Sequence, residues 1–385
     1  MKASAFIIFI TVVLVIYGLV NSYIFIRGLQ AIPAGSTWRP WYIAGFWFIA
    51  CTFVLARILE RAYPGDFTGI ITWIGSFWLA FMLYFILIAV FIDLARVINH
   101  FFHIFPQSFY ENYQQTKLAT LYASMFLATL IVAGGFINAR NPRVKKLELN
   151  IGKVVPGAKS LNIVMASDIH LGTIIAKRKA HRLVAAINEL HPDIVLFAGD
   201  LVDEDLAPVI RNNLGADLLE IKSRLGVYAI TGNHEYIGGA EKAVKYLDEH
   251  GVTVLRDTAL FIDKRFYLVG REDRDKPRFT GKIRKELSEL LQQVDNSFPV
   301  ILMDHQPFNL ERAVKQGVDL QLSGHTHHGQ LWPFNYITTA IYEISCGYRL
   351  IGKTHFYVST GFGTWGPPVR LGNRPEIVQI KLNFE

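Results

Sequence analysis

The sequence predicts two parts, an all-α membrane module of about four transmembrane helices and a layered α/β domain that follows it. Three observations lead to this prediction. Long uncharged apolar segments are confined to residues 1–140. After them, apolar runs typical of strands alternate with runs of helical periodicity. Clusters of His, Asp and Asn follow several of those strands. A chain of 385 residues has room for two or three domains.

The composition separates the two parts. Hydrophobic residues make up 51% of the chain and charged residues 18%, with a mean hydropathy of +0.27, whereas about a quarter of a soluble domain is charged. These values exclude a wholly soluble, disordered, collagen-like or disulfide-rich protein. The net charge of +7 lies in residues 1–146, and residues 147–385 hold 28 residues of each sign. The polar part therefore gives no reason to expect a nucleic-acid partner.

Four apolar segments suit a bilayer, which takes about 20 residues to cross as a helix. They are uncharged and cover residues 3–26, 41–55, 67–92 and 118–139. Backbone groups in hydrocarbon must bond within their own segment, so we expect helices. The first segment resembles a signal peptide in position only, because its apolar run is too long and no small-residue cleavage site follows. We therefore expect it to be retained.

The stretch that follows the third segment is apolar but interrupted by Asp93, Arg96, His100 and His103. One interpretation is a charge pair inside the membrane or a contact with lipid headgroups. The other is the interfacial end of a long helix, in which Asp93 and Arg96 are an ordinary i,i+3 pair. Pro106 closes the segment soon afterwards, which favours the second interpretation.

The distribution of basic residues predicts an orientation. Four spans place both ends of the module on one side of the membrane. That side carries seven basic residues: Lys2, Arg57, Arg61, Arg140, Arg143, Lys145 and Lys146. The other side carries four: Arg27, Arg39, Arg96 and Lys117. Because basic residues favour the cytoplasmic side, we predict a multi-pass protein of the cell membrane whose C-terminal domain is cytoplasmic.

The polar part alternates predicted strands and helices, which is typical of a layered α/β domain. The predicted strands are 161–166, 194–198, 227–230, 300–303 and 318–322. The predicted helices are 177–190, 206–224, 240–250, 284–294 and 310–316. Asn141-Pro142 ends the fourth span, and a basic linker follows at 143–146. The predicted divisions are therefore a transmembrane module at 1–140, a linker and entry segment at 141–159, and the α/β domain at 160–385.

Each of the five predicted strands runs into a cluster of polar side chains. The clusters are Asp168-Ile169-His170, Gly199-Asp200, Gly232-Asn233-His234-Glu235, Asp304-His305 and Gly324-His325-Thr326-His327. In open α/β sheets, ligands bind beyond the carboxyl ends of the strands. Residues two apart in extended chain project to the same face, so the two side chains of each D-x-H or H-x-H pair can reach one site. We therefore expect all five clusters to converge.

The residue types in these clusters indicate a metal. Imidazole, carboxylate and amide groups without a thiolate suit Mn, Fe, Zn or similar ions. The candidate ligands are Asp168, His170, Asp200, Asn233, His305, His325 and His327. Seven ligands are too many for one four-coordinate ion, but two ions that share a carboxylate would use them all. Two ions about 3.5–4 Å apart are a common device for displacement at phosphorus.

Taken together, the five clusters resemble the motif set of the calcineurin-like metallophosphoesterase superfamily over residues 160–380. The resemblance implies a four-layer α/β/β/α sandwich with two divalent ions, of which Mn is expected first and Fe or Zn are alternatives. It implies that one ion is bound by Asp168, His170, Asp200 and His327 and the other by Asp200, Asn233, His305 and His325. It also implies that a metal-bridging hydroxide attacks phosphorus while the non-ligand His234 assists the leaving group.

The sequence departs from one branch of that superfamily. Ser/Thr protein phosphatases follow Gly-Asp with x-Val-Asp-Arg-Gly, whereas the run after Asp200 here is Leu-Val-Asp-Glu-Asp. A protein phosphatase is therefore disfavoured. The chain more closely resembles the membrane-attached bacterial branch, which includes enzymes similar to UDP-2,3-diacylglucosamine pyrophosphatase. This finer resemblance depends on residues 324–330 and 361–370.

Three arginines outside the clusters are candidates for substrate binding. Arg271 and Arg274 lie in a charged loop and can clamp a phosphate, although a solvated loop with local ion pairs explains them equally well. Arg370 ends the segment 361–370, which also carries Trp365. That segment suits the wall of a substrate groove or ordinary packing.

The sequence therefore predicts a membrane-embedded, metal-dependent phosphoesterase. We expect it to hydrolyse a phosphomonoester, phosphodiester or pyrophosphate bond in a lipid or lipid-precursor substrate, with membrane lipids around it. One alternative is a phosphodiesterase for a soluble, nucleotide-type substrate, with membrane attachment for localisation only. Another is a catalytically silent, metal-bound sensor or scaffold, against which the intact His234 argues.

Overall fold

The structure is a computed structural model that describes residues 3–385. The chain divides into two compact units. The first, the membrane unit, comprises Met1–Ile137 and Gly366–Val369. The second, the α/β unit, comprises Asn138–Trp365 and Arg370–Glu385.

The membrane unit is built from helices. Their bounds are α1 Ala3–Ala31, α2 Trp38–Ala62, α3 Asp66–Phe102, α4 Ser108–Glu111 and α5 Tyr113–Ala139. Among the described residues, α1, α2, α3 and α5 are long and apolar enough to cross a membrane, as the sequence predicts. The second span is longer than its uncharged run because α2 continues through Arg57 and Glu60, an i,i+3 ion pair at 3.2 Å.

The charged stretch after the third span is a continuation of α3, which extends through Asp93 and Arg96 to Phe102. The two charged groups approach to 3.6 Å, so the helix continues through this stretch and contains the expected i,i+3 pair. The structure adds a second partner, because Arg27 of α1 also forms an ion pair with Asp93. The carboxylate therefore links two helices.

Close packing and side-chain hydrogen bonds hold α1, α2 and α3 together. A Cβ on Gly75 of α3 would lie 2.7 Å from the backbone of Phe53 of α2, so this position needs a glycine. Nearby, the rings of Phe46 and Trp78 meet edge to face at 5.2 Å, and Trp78 Nε1 donates to Asn21 Oδ1 at 2.9 Å. Such contacts matter because lipid supplies no hydrophobic force between helices.

The α/β unit contains two six-stranded sheets. The first has the order β1-β12-β2-β3-β4-β5, with β1 Arg143–Ile151, β2 Ser160–Ala166, β3 Ile194–Phe197, β4 Val227–Ile230, β5 Thr253–Leu255 and β12 Glu376–Phe384. The second has the order β10-β11-β9-β8-β7-β6, with β6 Thr258–Ile262, β7 Phe266–Gly270, β8 Val300–Met303, β9 Leu320–Ser323, β10 Gly347–Ile351 and β11 Thr354–Val358.

The helices of this unit are short. They are α6 Lys177–Glu189, α7 Ala207–Arg211, α8 Asn233–Gly238, α9 Ala240–Glu249, α10 Lys276–Thr280, α11 Leu287–Leu290, α12 Glu311–Lys315 and α13 Phe334–Ile341. Two single 3₁₀ turns lie at Ala216–Glu220 and His327–Gly329.

Three cores arrange these elements in four layers. Alternate residues of a strand project to opposite faces, so Ile163 packs between the two sheets whereas Val164 packs on the other face, against α6 and α9. In the second sheet, Ile301 joins the core between the sheets, and Leu302 joins a third core with α11 and α12. The order is helix, sheet, sheet, helix, which confirms the predicted four-layer α/β/β/α sandwich.

Parallel pairing places the functional loops. The strands β2, β3, β4 and β5 are parallel neighbours in one sheet, and β7, β8 and β9 are parallel neighbours in the other. The carboxyl ends of the parallel strands in each sheet therefore lie at one edge, where the loops that follow them can meet.

Three predicted elements are corrected by the structure. Residues 143–146 are part of β1 and not a linker, because β1 pairs with β12 along its whole length. The predicted helix 206–224 is only α7 and a 3₁₀ turn, because Asn213 between them has a left-handed backbone conformation with a φ of 44°. The predicted helix 284–294 is reduced to α11, because Asp257 accepts a hydrogen bond from the Lys285 backbone and holds that stretch as a loop.

Candidate metal centre

The five polar clusters follow β2, β3 and β4 of the first sheet and β8 and β9 of the second. They meet where the carboxyl ends of the two sheets converge. One group of side chains is Asp168, His170 and His327, and another is Asp200, His305 and His325. Within each group the candidate ligand atoms all lie within 4.8 Å of one another. The sequence prediction that these clusters converge therefore agrees with the structure.

The first group is fully buried and its lone pairs face one another. The Nε2 atoms of His170 and His327 are 3.0 Å apart, and His327 Nε2 is 3.5 Å from Asp168 Oδ1. Burial lowers the pKa of His327, and the nearby charge of Arg370 lowers it further. A neutral imidazole is the form that binds a metal, so this environment suits a ligand.

The second group is arranged around Asp200. Its Oδ2 atom is 3.1 Å from His305 Nε2 and 3.9 Å from His170 Nε2, so the carboxylate reaches both groups. On the far side, His325 Nδ1 lies 2.8 Å from Asn233 Oδ1. The Asp200 carboxylate would therefore be within reach of an ion held by either group.

His305 is oriented as a ligand by its own hydrogen bond. Its Nδ1 atom donates to the Ala198 carbonyl at 2.7 Å, which fixes the tautomer and leaves a lone pair on Nε2. That Nε2 atom is buried, and it has no hydrogen-bond partner among the described residues. A buried, unsatisfied nitrogen that faces a carboxylate fits a bound cation.

The backbone of the site is strained. Asp168, His170, Asp200, His325 and His327 all have positive φ values, between 44° and 68°. This left-handed region costs a non-glycine residue on the order of 1–3 kcal/mol, and such residues cluster at functional sites. Five of the seven predicted ligands therefore occupy conformations that the surrounding fold must enforce.

Glycines allow the loops to approach one another. A Cβ on Gly232 would overlap Asp200 Oδ1, and a Cβ on Gly324 would overlap Asp168 Oδ2. A Cβ on Gly199 would overlap the ring of His305. The glycine beside each of these clusters is therefore needed for space.

His234 belongs to neither of these two groups, but with His170 and Asp203 it forms a third set whose candidate ligand atoms lie within 4.8 Å of one another. Its ring meets that of His170 edge to face, with centroids 4.5 Å apart, and its Nδ1 atom is 3.2 Å from Asp203 Oδ1. Burial lowers the pKa of His234, but the charges of Asp200 and Asp203 and the hydrogen bond to Asp203 outweigh it and raise the pKa to about 9. At neutral pH this side chain therefore carries a proton that it can donate.

Two acidic residues with supporting roles were missed in the sequence analysis. Asp203 contacts His234 and also lies 3.7 Å from His170 Nδ1. Glu235 is buried and accepts hydrogen bonds from the backbone N–H groups of Asp200, Val202 and Gly232 at 2.7–3.1 Å. Their positions in the sequence could have indicated these roles, because each carboxylate lies within three residues of a predicted ligand.

Two of the three candidate arginines are buried and bonded to neighbouring groups of the protein. Arg271 is 5% exposed, and its terminal nitrogens donate to Asp304 at 2.8 Å and to the Lys285 carbonyl at 3.1 Å. Arg370 is fully buried, bonds to the carbonyls of Thr360 and Gly363, and reaches His327 Nδ1 at 3.0 Å. Both side chains are occupied in holding site loops.

The third candidate arginine and the tryptophan of segment 361–370 are both exposed. Arg274 is exposed and lies over the Phe308 ring at 4.3 Å, so its role in substrate binding stays a prediction. Trp365 is 53% exposed, and its ring is 5.9 Å from that of His234. Two hydrogen bonds of 2.9 Å with Gln330 hold the Trp365 backbone in place. The exposed Trp365 side chain therefore lies beside His234.

An exposed apolar helix adjoins the metal cluster. α13 begins a few residues after His327, and close packing with the loop requires Gly329, where a Cβ would overlap the α13 backbone. The helix leaves four large apolar side chains 40–65% exposed: Phe334, Tyr336, Ile337 and Ile341. Exposed apolar side chains that lie together often mark a binding or interaction surface.

The residues present fit a two-metal centre. They provide two adjacent groups of imidazole and carboxylate ligands, the amide oxygen of Asn233 beside His325, a carboxylate within 4 Å of a histidine of each group and a buried unsatisfied nitrogen. The described ligand groups contain no thiolate, which suits Mn, Fe or Zn. Fold and site together define the class of metal-dependent hydrolases.

Comparisons with known proteins narrow this class. Residues 161–329 match the family model of the calcineurin-like phosphoesterases. The chain is 32% identical, over 70% of its length and 63% of the relative's, to a transmembrane protein with metallophosphoesterase domain from Danio rerio. It is 34% identical to an uncharacterized metallophosphoesterase of Aquifex aeolicus, over 67% of this chain and 98% of the relative. A Campylobacter jejuni metallophosphoesterase is 29% identical over 98% of both chains.

The chain belongs to the calcineurin-like phosphoesterase family. It spans less than two thirds of the length of the vertebrate relatives that it matches. The similarity to a relative described as a transmembrane protein, with the four long apolar helices, assigns the protein to a membrane. Family membership supports a phosphoesterase that uses divalent metals.

Proposed function

We propose that the protein is a phosphoesterase whose substrate is a phosphate-bearing lipid or lipid precursor. The observation that carries this proposal is the apolar surface of α13. Phe334, Tyr336, Ile337 and Ile341 are exposed within the α/β unit itself, next to the loop that carries His325 and His327. An amphiphile can place its apolar part on this surface while its phosphate lies at the metal cluster.

Two ions would use all seven ligands. Asp168, His170, Asp200 and His327 would hold one, and Asp200, Asn233, His305 and His325 would hold the other, with Mn the first candidate. When bound, such ions supply Lewis acidity toward a phosphoryl oxygen and generate the attacking hydroxide from water. The chain's part is to hold the ligands in strained conformations that point them at one another.

His234 provides the proton for the leaving oxygen. Asp203 accepts from Nδ1, which leaves Nε2 as the atom that faces the substrate. The contact with Asp203 fixes the ring and keeps the proton on the imidazole. General acid catalysis of this kind contributes on the order of 10²–10⁴ in rate.

We also propose that the α/β unit lies in the cytoplasm. The support is the excess of basic residues on the side of the membrane where α5 ends. A substrate in the cytoplasmic leaflet would then be accessible to the site.

The test is a hydrolysis panel with full-length protein in detergent and Mn²⁺. The substrates are phosphatidic acid, a nucleotide-linked diacyl sugar, a soluble dinucleotide and bis(4-nitrophenyl) phosphate. Ile337→Ser/Ile341→Ser is compared with the control Ile210→Ser/Leu219→Ser, which removes two exposed apolar side chains elsewhere on the α/β unit. We expect the α13 variant to lower kcat/KM for a lipid roughly tenfold, the scale of two partly buried apolar side chains, with bis(4-nitrophenyl) phosphate unaffected.

The other outcomes have defined meanings. Equal losses in both double variants would contradict recognition by α13. Turnover of the dinucleotide alone would favour the soluble substrate. No turnover of any substrate by protein shown to contain metal would favour a sensor or scaffold.

A further inference from the structure

A large cavity lies within the membrane unit, far in sequence from the metal ligands. Its volume is about 1610 Å³, and its walls come from α1, α2, α3 and α5. Sites for small molecules usually measure about 300–1,000 Å³. The cavity is therefore large enough for an amphiphile with long apolar chains.

Most of the cavity wall is apolar. Ile24, Phe46, Trp78, Phe81 and Phe85 line it, and Phe46 and Trp78 belong to the buried cluster that joins α1, α2 and α3. Gly45 also lines the wall, and a Cβ there would meet no atom within 4 Å. The space beside α2 is therefore open.

One end of the cavity is cationic. Arg27 near the end of α1, Arg96 near the end of α3 and Lys117 near the start of α5 all line it, and among the described residues Asp93 is the only carboxylate in that wall. Three permanent cations face one anion, which leaves an excess of two positive charges. Such an excess at the edge of a low-dielectric region is costly unless an anion lies nearby.

The one carboxylate does not satisfy these cations. Asp93 pairs with Arg27 and, at 3.6 Å, with Arg96. Lys117 takes part in no ion pair among the described side chains and lies 4.8 Å from the Tyr113 ring centroid. Arg27 Nε is buried without a described hydrogen-bond acceptor. N–H donors are therefore available at the place where a headgroup would lie.

Aromatic residues at the same end place it at the level of lipid headgroups. Trp38 and Trp41 begin α2 and are each more than 70% exposed. Tyr110 and Tyr113 line the cavity. Tryptophan and tyrosine favour the boundary between hydrocarbon and water. The cationic end therefore coincides with the predicted interface.

We propose that this cavity binds an anionic phospholipid, with its acyl chains along the apolar wall and its phosphate at Arg27, Arg96 and Lys117. The site is separate from the metal centre and does not depend on the substrate proposed above. Charge selects the ligand, because a lipid with a net negative charge offsets part of the excess of two positive charges, whereas a lipid without net charge does not. The cavity is thus a structural lipid site of the membrane unit.

The experiment measures lipid binding to purified full-length protein by native mass spectrometry. The probes are dioleoylphosphatidylglycerol, dioleoylphosphatidylcholine and dioleoylglycerol. We expect one phosphatidylglycerol per chain, bound roughly tenfold or more tightly than phosphatidylcholine, since each basic residue near a headgroup contributes about a factor of five. Dioleoylglycerol, which lacks phosphate, should bind most weakly.

Two pairs of variants test the two parts of the site. Arg96→Gln/Lys117→Gln should reduce phosphatidylglycerol binding to the phosphatidylcholine value, whereas Lys145→Gln/Lys146→Gln removes the same charge from β1 and should have no effect. Gly45→Trp fills the cavity and should weaken binding of both phospholipids. Its control, Gly134→Trp in α5, also enters open space but does not line the cavity.

Several results would overturn the proposal. Equal affinity of the wild type for phosphatidylglycerol and phosphatidylcholine would remove the role of charge. Unchanged binding in Gly45→Trp would place the lipid outside the cavity. Displacement of phosphatidylglycerol by an equal concentration of inorganic phosphate would identify a free anion, and not a lipid, as the ligand.

Discussion

The molecule contains two polar clusters in apolar surroundings, and they have opposite chemistry. The cluster of the α/β unit presents carboxylates and imidazoles, and within each of its groups the candidate ligand atoms lie within 4.8 Å of one another. The cluster of the membrane unit presents guanidinium and ammonium groups with a single carboxylate. The first is suited to cations and the second to an anion. The chemical groups that line each site, more than the mere presence of buried charge, therefore indicate whether the site binds a cation or an anion.

The two clusters also differ in how they are built. Five ligands of the α/β cluster have left-handed backbone conformations, whereas Arg27, Asp93, Arg96 and Lys117 all lie on regular helices. The surrounding fold holds the metal ligands in a narrow geometry, at a cost in backbone strain. The membrane cluster is held by helix packing alone, which leaves its long side chains freer to adapt to a headgroup.

The largest expected effect is at the shared carboxylate of the metal centre. Asp200→Asn removes the charge that reaches both groups of ligands, so we expect turnover of bis(4-nitrophenyl) phosphate to fall by about 10³ or more, as expected when metal-assisted catalysis is lost. Bound metal, measured by elemental analysis, should fall from two ions per chain. Asp263→Asn is the control, because Asp263 is exposed and pairs only with Arg224 and Arg265. Full turnover in Asp200→Asn would contradict the assignment of the centre.

The second largest effect is expected at His234, and it distinguishes a general acid from a metal ligand. His234→Ala should lower kcat by about 10²–10⁴ while both ions stay bound, since the seven ligands remain. The loss should be smaller for a substrate with a good leaving group, which needs less protonation. Loss of metal together with activity would show instead that His234 is a ligand.

A third prediction concerns the space that glycine provides. In Gly232→Ala the new methyl group would overlap Asp200 Oδ1 and displace the shared carboxylate. We expect weaker metal binding and activity lower by about 10²-fold, the cost of a displacement near 1 Å. Gly134→Ala, where a Cβ enters open space, should change neither quantity. Equal behaviour of the two variants would mean that the α/β cluster tolerates the movement.

The smallest effect is expected at Asp93, and it tests whether the cationic end of the membrane cavity selects an anion. Asp93→Asn removes the only carboxylate of the cationic end and raises its excess charge from two to three. We expect phosphatidylglycerol to bind about fivefold more tightly, the contribution of one charge near a headgroup. The direction is opposite to that of Arg96→Gln/Lys117→Gln. Weaker binding in Asp93→Asn would show that the carboxylate orders the arginines more than it competes with the lipid.

The metal cluster could be predicted from sequence because its residues follow strands in short motifs. Asp168 and His170 are two residues apart, and the apolar run before them marks the strand. Periodicity does not reveal supporting contacts made across the fold. Arg370 was therefore expected at the substrate, although it is buried against His327.

The cationic end of the membrane cavity was not predictable in this way. Arg27 and Asp93 are 66 positions apart and lie on different helices, so no local pattern joins them. From sequence alone, only the i,i+3 neighbour Arg96 could be expected as a partner of Asp93. Likewise, the strand β1 was expected as a linker because its partner β12 is more than 200 residues away. Local sequence patterns predict helices, strands and motifs, whereas contacts between distant residues are revealed only by the structure.

The position of β12 has a consequence for the order of folding. This strand lies between β1 and β2 and bonds to both, although it follows them by more than 200 residues. β1, the first segment after α5, has no other strand neighbour in its sheet. It must therefore wait unpaired until β12 has been synthesised. Such distant pairing is intrinsically slow, so the segment that leaves the membrane helices is exposed to proteases and chaperones longer than any other strand of the sheet.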